Sequence, residues 1–368
     1  MVQSRARRSV GDLVSRRTAL SAMVGMVGLT AACTPDDGGA GSADGGASGG
    51  DAGGGAGGGS PGGGSAGGGS PAGFPLELAN CEATLTFEAP PERIVLLESA
   101  AVTTLDGIGV LDRVVSRAGA FPPGYHDDDL TARIEAIPAL SEDIDASGHL
   151  QISQELVIAQ QPDIVFGLPD GVTREVMADA GAAVMVQDIF CGDAEDRASF
   201  ETLYSTLGTY GRIFDRPTEA ESLTSSLRER VAAVSDSAQG LTTATAAVLY
   251  PSLGGGPLYT YGAGSMVTAQ LDALAIENAF AGTAQRVFEI SAEPLLAADP
   301  DVLIVLFQDE GDGSELIADM IAQDPLSGLR AVQERAVLPL LFNFAEPASP
   351  LVVDGLERIH QWLLGLEG

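Results

Sequence analysis

Among the residues whose types and spacing could carry chemistry, two glutamates come first because their surroundings repeat. Ile152-Ser153-Gln154-Glu155 and Ile290-Ser291-Ala292-Glu293 are each followed, seven residues after the glutamate, by Pro162-Asp163 and Pro300-Asp301. Every element recurs at a separation of 138 residues, Ala159 and Ala297 included. Each Pro-Asp opens an apolar strand, so the chain holds two equivalent helix-strand units. If Ser153 and Ser291 cap their helices, each glutamate also lies in a first turn, where the helix dipole favours an acid without any partner.

The other reactive residues assemble into no catalytic or metal motif. His126, His149 and His360 are widely spaced and lack the i, i+4 or cysteine-paired arrangements of metal sites, so direct capture of Zn or Mn is not expected. His126-Asp127-Asp128-Asp129 reads as a solvated acidic loop rather than a cation site. Gly254-Gly255-Gly256 lacks the lysine and helix start of a phosphate loop, and the Gly-x-Ser-x-Gly match around Ser60 lies in a glycine tract that offers no strand-to-helix elbow. An enzyme is not expected, and no cofactor.

The elements that must position these groups begin with an export leader. Arg5, Arg7, Arg8, Arg16 and Arg17 precede an uncharged run from Thr18 to Ala32 that ends at Cys33. Residues 1–33 read as a signal peptide, and Leu29-Thr30-Ala31-Ala32-Cys33 resembles a lipobox whose cysteine is lipidated. Ser15-Arg16-Arg17-Thr18-Ala19-Leu20 partly matches a twin-arginine signal, leaving both export routes open. The expected location is the outer face of the cell membrane, held by lipid. Residues 34–73 are almost entirely Gly, Ala, Ser, Pro and Asp, a tether with a reach of roughly 35 Å.

Lysine is absent, and beyond Cys33 14 arginines face 50 acidic residues. Nucleic acid and anionic lipid surfaces are poor partners for such a surface, whose acidity fits the solubility of an exported protein. Cys81 and Cys191 remain as an even pair in an oxidising compartment, and a disulfide between them is expected.

Past the tether, apolar runs alternate with helical patterns: Ile94–Leu97, Ile164–Gly167, Val184–Val186, Ala247–Tyr250, Val302–Phe307 and Val337–Leu341. This is an α/β pattern with buried parallel strands. Thr173 is placed to cap a helix ending at Gly181. A long helical region covers 199–214 and 218–238, broken at Asp215-Arg216-Pro217, with Thr218 and Glu221 in a capping-box pattern and Leu223, Leu227, Val231 and Val234 on one face. The expected organisation is two similar α/β lobes, 74–217 and 239–368, joined by one long helix, 218–238.

Pro91-Glu92-Arg93-Ile94-Val95, Leu111-Asp112-Arg113-Val114-Val115 and the two Glu-x6-Pro-Asp units resemble the iron-siderophore and cobalamin binding proteins of ABC importers, over about Asn80 to Leu364. The resemblance implies two lobes with a ligand cleft between them, no covalent chemistry, and delivery of an iron chelate to membrane permease subunits by a monomer. It also implies that Glu155 and Glu293 are the permease-docking carboxylates. The family's Thr-Glu pair in the first helix is absent; Val102-Thr103-Thr104-Leu105-Asp106 stands there. A corrinoid or haem cargo, and a surface sensor on the same fold, remain alternatives.

In such folds the cleft is built by loops at the carboxyl ends of strands. The candidates are therefore Glu98, Arg117, Phe121, Tyr125 and Phe190 from the first lobe, and Tyr250, Tyr259, Tyr261, Arg286, Phe307 and Phe344 from the second. Aromatic faces and a few arginines suit large organic chelates. Arg117 and Arg286 would serve an anionic chelate, while a neutral ferric hydroxamate could be held by aromatics and one or two polar groups. The segment Tyr250–Tyr261 is the richest region, its tyrosines expected in a glycine-bent loop after a strand end.

Overall fold

The computed structural model describes residues 73–145, 149–192, 197–251, 257–308, 311–322 and 326–367. The leader 1–33 with Cys33, the tether up to residue 72 and the glycines 254–256 lie outside the described residues.

The first lobe starts with an antiparallel hairpin, β1 (Leu76–Asn80) and β2 (Ala83–Phe87). There follow β3 (Ile94–Leu96), α1 (Val102–Gly107), β4 (Val114–Ala118), α2 (Asp128–Glu135), β5 (Ala139–Ser141), α3 (Gln154–Ile158), β6 (Ile164–Phe166), α4 (Arg174–Asp179) and β7 (Ala183–Met185). The sheet runs β5-β4-β3-β6-β7 with every pairing parallel. Parallel strands are covered by helices on both faces, and the buried residues divide accordingly. Ile94, Leu96 and Phe166 pack towards Leu105, Tyr210 and Phe214. Val95 and Val165 pack the other way, towards Val157, Met177 and Val184. Thr173 caps α4 by accepting from the Val176 N–H, and Gly181 follows the helix with φ +87°.

Two long helices, α5 (Phe200–Ile213) and α6 (Pro217–Ser237), lie between the lobes. Gly211 allows their close crossing, because a Cβ there would stand 2.6 Å from that of Ala220. The start of α6 differs from the capping-box expectation. Pro217 is the first helical residue and Arg216 the N-cap, so Thr218 lies inside the first turn. Proline's fixed φ is preorganised for that position and costs no hydrogen bond there. Along α6, Ala220 packs with the first lobe, Leu227 with a middle cluster shared by α5, and Val234 with the second lobe. Leu223 and Val231 are half-buried on the same face. At ~1.5 Å per residue the helix is about 30 Å long, enough to lie along both lobes.

The second lobe comprises β8 (Thr245–Pro251), β9 (Leu258–Tyr261), α7 (Met266–Ala273), β10 (Glu277–Asn278), β11 (Val287–Ile290), α8 (Ala292–Ala298), β12 (Val302–Phe307), α9 (Ser314–Ile321), α10 (Arg330–Gln333), β13 (Val337–Leu341) and α11 (Leu351–Glu367). Its sheet runs β11-β9-β8-β12-β13, and β10 pairs with the start of β8. The β8-β12-β13 core is parallel, whereas β9 is antiparallel to both neighbours. All six residues of β12 are buried, a transfer gain on the order of 10 kcal/mol that explains its unbroken apolar run.

The sequence repeat maps onto α3-β6 and α8-β12. Its aspartates have a shared structural task. The Asp163 carboxylate accepts the Glu92 and Arg93 N–H groups, at 2.8 and 2.9 Å, just before β3. Asp301 accepts those of Ala244 and Thr245, at 2.9 and 2.8 Å, where β8 begins. Each fastens the start of the neighbouring central strand.

Candidate functional site

The carboxyl ends of the parallel strands in the two lobes meet along a seam. From the first lobe come Glu98 and Ser99 after β3, the turn at Gly124-Tyr125 after β4, and Gln187–Phe190 after β7. From the second come Arg286, just before β11, and Phe342–Glu346 after β13. The Asn343 side-chain amide donates to the Ser99 hydroxyl at 2.8 Å, and its backbone N–H donates to the Tyr125 phenol at 3.0 Å. Tyr125 meets Phe344 edge to face, with ring centroids 5.3 Å apart. The Arg286 guanidinium lies 4.9 Å above the Phe190 ring.

Tyr125 therefore belongs to the first lobe in sequence yet packs in the core of the second. Burial pushes its phenol well above the ordinary range. Of the sequence candidates, the structure brings Glu98, Tyr125, Phe190, Arg286 and Phe344 to the seam. Phe344 is also a floor residue of a cavity of about 710 Å³ with Phe307, Leu338 and Leu341, and Arg358 lies over its ring at 4.3 Å.

Two carboxyls stand at the seam, one per lobe, Glu98 half-buried and Glu346 fully buried. Glu98 is pushed up to about 7 by burial, with the Gln187 amide, which donates to it at 2.8 Å, opposing. The same amide donates to the Tyr210 phenol at 3.1 Å. Glu346 is fully buried and is also pushed up to about 7 by burial, with Arg286 as the largest opposing influence. It accepts the Ser265 hydroxyl and the Met266 N–H at the start of α7, and faces Arg286 at 3.5 Å. Sequence reasoning missed Gln187, Asn343 and Glu346. A signal for the last was available: Glu346 is the one charge between Arg335 and Asp354, in a stretch whose other polar side chains are Asn343 and Ser349.

Other candidates stand elsewhere. Arg117 donates to the Ile134 carbonyl, ion-pairs with Glu142 at 3.6 Å and covers Phe121 at 5.1 Å, so this pair satisfies itself beside β5. The expected tyrosine loop is instead an antiparallel hairpin: Tyr250 lies in β8 opposite Tyr259 in β9. At the inner end of β9 Tyr261 is 2% exposed and burial holds its phenol far up, so it is a core residue. Tyr250 packs edge to face on Phe342, with centroids 5.8 Å apart, which keeps it beside the seam.

Cys81, at the turn of the β1-β2 hairpin, is bonded to Cys191. The adjacent Asn80 accepts the Val186 N–H at 2.9 Å and donates to its carbonyl at 2.7 Å. Together they fasten the loop that carries Gln187 and Phe190. The acidic run after His126 has a local explanation: Asp127 caps α2 by accepting from the Leu130 N–H, and Asp128 and Asp129 fill its first turn. Among the described residues, no group of three or more His, Cys, Asp or Glu side chains could hold a metal ion.

Glu155 and Glu293 are exposed, each at the second position of its helix, one per lobe. Ser153 and Ser291 occupy the N-cap positions, but neither hydroxyl makes a capping bond, contrary to expectation. The Glu155 carboxyl is held below its ordinary value by its own backbone N–H and the Ser153 hydroxyl. In α1, Asp106 bonds Arg133 at 2.5 Å.

The family model described as periplasmic binding protein matches residues 94–340. The chain is similar to an ABC-type Fe3+-hydroxamate transport system from Saccharomonospora viridis, at 49% identity and TM-score 0.74, over 78% of this chain and 98% of that one. A cobalamin-binding protein of Halobacterium salinarum is 26% identical over 293 residues, 78% of this chain and 73% of that protein. A periplasmic haem-binding protein from Roseiflexus sp. shares the fold at 20% identity, TM-score 0.59, over 75% and 99% of the two chains.

Proposed function

With the chain established as a member of the periplasmic binding protein family, we propose that it captures a ferric siderophore and hands it to the permease of an ABC importer. Members of the family are extracytoplasmic binding components of transporters, not enzymes, and the iron-chelate, cobalamin and haem class is the coarse cargo. The observation that carries the finer reading is the seam. It brings aromatic rings from both lobes, Phe190, Tyr125 and Phe344, together with one partly exposed cation, Arg286. That set suits a bulky chelate with oxygen acceptors on its periphery. The relative at 49% identity is named for Fe3+-hydroxamate transport, which favours the same class.

Glu155 and Glu293 serve as docking carboxylates for permease arginines, and Cys33 carries the lipid that anchors a monomer to the membrane. Among the described residues no helix is long and apolar enough to cross a membrane. The second reading is a corrinoid cargo, favoured by the Halobacterium relative named for cobalamin binding.

The test is a fluorescence titration of the full chain, read at Trp362 and the tyrosines, with ferrichrome, ferric enterobactin, haem and cyanocobalamin. Saturable submicromolar quenching by a ferric chelate is the expected outcome. Binding of cyanocobalamin alone replaces the cargo, and a flat response to all four overturns the reading. Uptake is the second arm: the Glu155→Arg, Glu293→Arg double variant should keep its ligand affinity and lose transport.

A further inference from the structure

Glu346 presents a physical puzzle. A carboxylate with no exposure is expensive to bury, and an ion pair with Arg286 does not by itself repay that cost. Its surroundings are built to hold it nonetheless. The Ser265 hydroxyl donates to one carboxylate oxygen while also accepting from the Val267 N–H as the cap of α7, and the Met266 N–H reaches the same oxygen at 3.2 Å. The other oxygen faces Arg286 Nη1 at 3.5 Å.

Arg286 is fixed from two sides. Its backbone carbonyl accepts the Gly262 N–H at 3.0 Å, and the neighbouring Ala263 and Gly264 N–H groups bond Thr283 and Ala284. Its guanidinium is 20% exposed and lies over Phe190 of the opposite lobe. Among the described residues Glu346 is its one side-chain hydrogen-bond acceptor, which leaves most of its five donors without a protein partner there.

Resting on the cargo reading above, we propose that Glu346 is a positioning residue that presents the Arg286 guanidinium to the cleft, where it donates to an electron-rich oxygen on the periphery of the bound chelate. The pairing with Phe190 makes the same guanidinium a contact between the lobes, so a ligand that engages Arg286 touches the element that joins them. Glu346 does not reach the ligand; it acts through Arg286. A buried pair of this kind adds little stability of its own and can instead fix orientation.

The experiment is a double-variant cycle on the full chain with ferrichrome as probe, reading Kd. Arg286→Met should weaken binding about tenfold or more, with Arg286→Lys in between. Glu346→Gln should weaken binding about tenfold alone and less than about twofold in the Arg286→Met background, because the two act as one unit. Equal effects of Glu346→Gln in both backgrounds would make its role merely structural and overturn the proposal, as would Arg286→Met binding like the wild type.

If Glu346→Gln does not fold, a carbon-13 NMR titration of Glu346 in the wild type and Arg286→Met serves instead. The carboxyl should titrate higher when the arginine is gone, and an unmoved titration overturns the pairing. A wild type that binds none of the ferric chelates is a different failure, that of the cargo reading.

Discussion

The two lobes share a module and differ in what they place at the seam. Both carry the helix, the Pro-Asp and the central strand 138 residues apart, and both use the aspartate to fasten the start of the next strand. Yet the first lobe has an all-parallel sheet and a half-buried carboxyl, Glu98, whose hydrogen-bond donor is the neutral Gln187 amide. The second lobe inserts an antiparallel hairpin, and its buried carboxyl, Glu346, faces an arginine. Repeated features maintain the scaffold; the unmatched ones set the chemistry at the seam. Both carboxyls are pushed up to about 7 by burial, but only the second lobe sets a cation, Arg286, beside its own.

The contrast is tested most severely by removing each carboxyl. Glu346→Ala leaves Arg286, the Ser265 hydroxyl and the Met266 N–H without their acceptor, and should cost roughly 3–5 kcal/mol, towards the lower end because Arg286 keeps some solvent contact. Glu98→Gln removes a charge that burial already disfavours, and at about pH 8 it should be neutral or slightly stabilising. Urea unfolding with matched m-values would measure both. Equal losses would mean that the two carboxyls have the same electrostatic role and that the lobes differ only in topology.

A smaller difference is expected between the two fastening aspartates. Asp301 accepts two backbone N–H groups and the Thr245 hydroxyl, and is ion-paired with Arg330 at 2.6 Å. Asp163 accepts two N–H groups in a more exposed setting. Asp301→Ala should therefore cost about 2 kcal/mol and Asp163→Ala about 1 kcal/mol. Hydrogen exchange would localise each loss to the strand it fastens, β8 or β3. A larger loss for Asp163 would show that the short first-lobe strands depend on this contact more than the longer β8 does.

Much of the fold was legible in the sequence because its signals are local. The apolar runs at Val302–Phe307 and Val337–Leu341 coincide with β12 and β13, and the repeat marks corresponding units of the two lobes. Leu227 and Val234 face inward on α6 as their spacing requires. What was not legible depends on distance in the chain. Whether Tyr250 and Tyr259 follow a strand or form a hairpin is decided by pairing, and the buried end of β9 then takes Tyr261 into the core. The Glu346 site joins residues 265, 286 and 346, and Gln187 finds its partners at 98 and 210, spacings that no local pattern records. Arg117 and Phe121 had the right chemistry for a cleft, but they are close enough to satisfy one another.

The last test is a pair of opposing pH slopes at the seam, whose net effect is small where the two cancel. Glu98 titrates near 7 in the fold against an ordinary value of 4.5. Between those values the folded protein keeps a proton that the unfolded chain has released, so its contribution is fully present below about pH 4.5 and is lost as pH rises through 7. His126, on the turn beside Tyr125, runs the other way. Its ring nitrogens are buried without a hydrogen-bond partner, and burial lowers it from 6.5 to about 4, with Asp106 and Asp127 opposing. Its contribution is present above about pH 6.5 and is lost as pH falls through 4. Each slope is limited to about 1.4 kcal/mol per pH unit for one proton. Below pH 6.5 the two slopes oppose, while above it the carboxyl slope, shared by Glu346, remains. Thermal unfolding between about pH 4 and 8 should therefore show Glu98→Gln flattening the neutral side and His126→Asn flattening the acid side. A wild type already flat from about pH 6.5 to 8 would mean that both seam carboxyls, Glu98 and Glu346, are ionised in the fold. The contrast between the lobes would then reduce to the arginine that accompanies Glu346 alone.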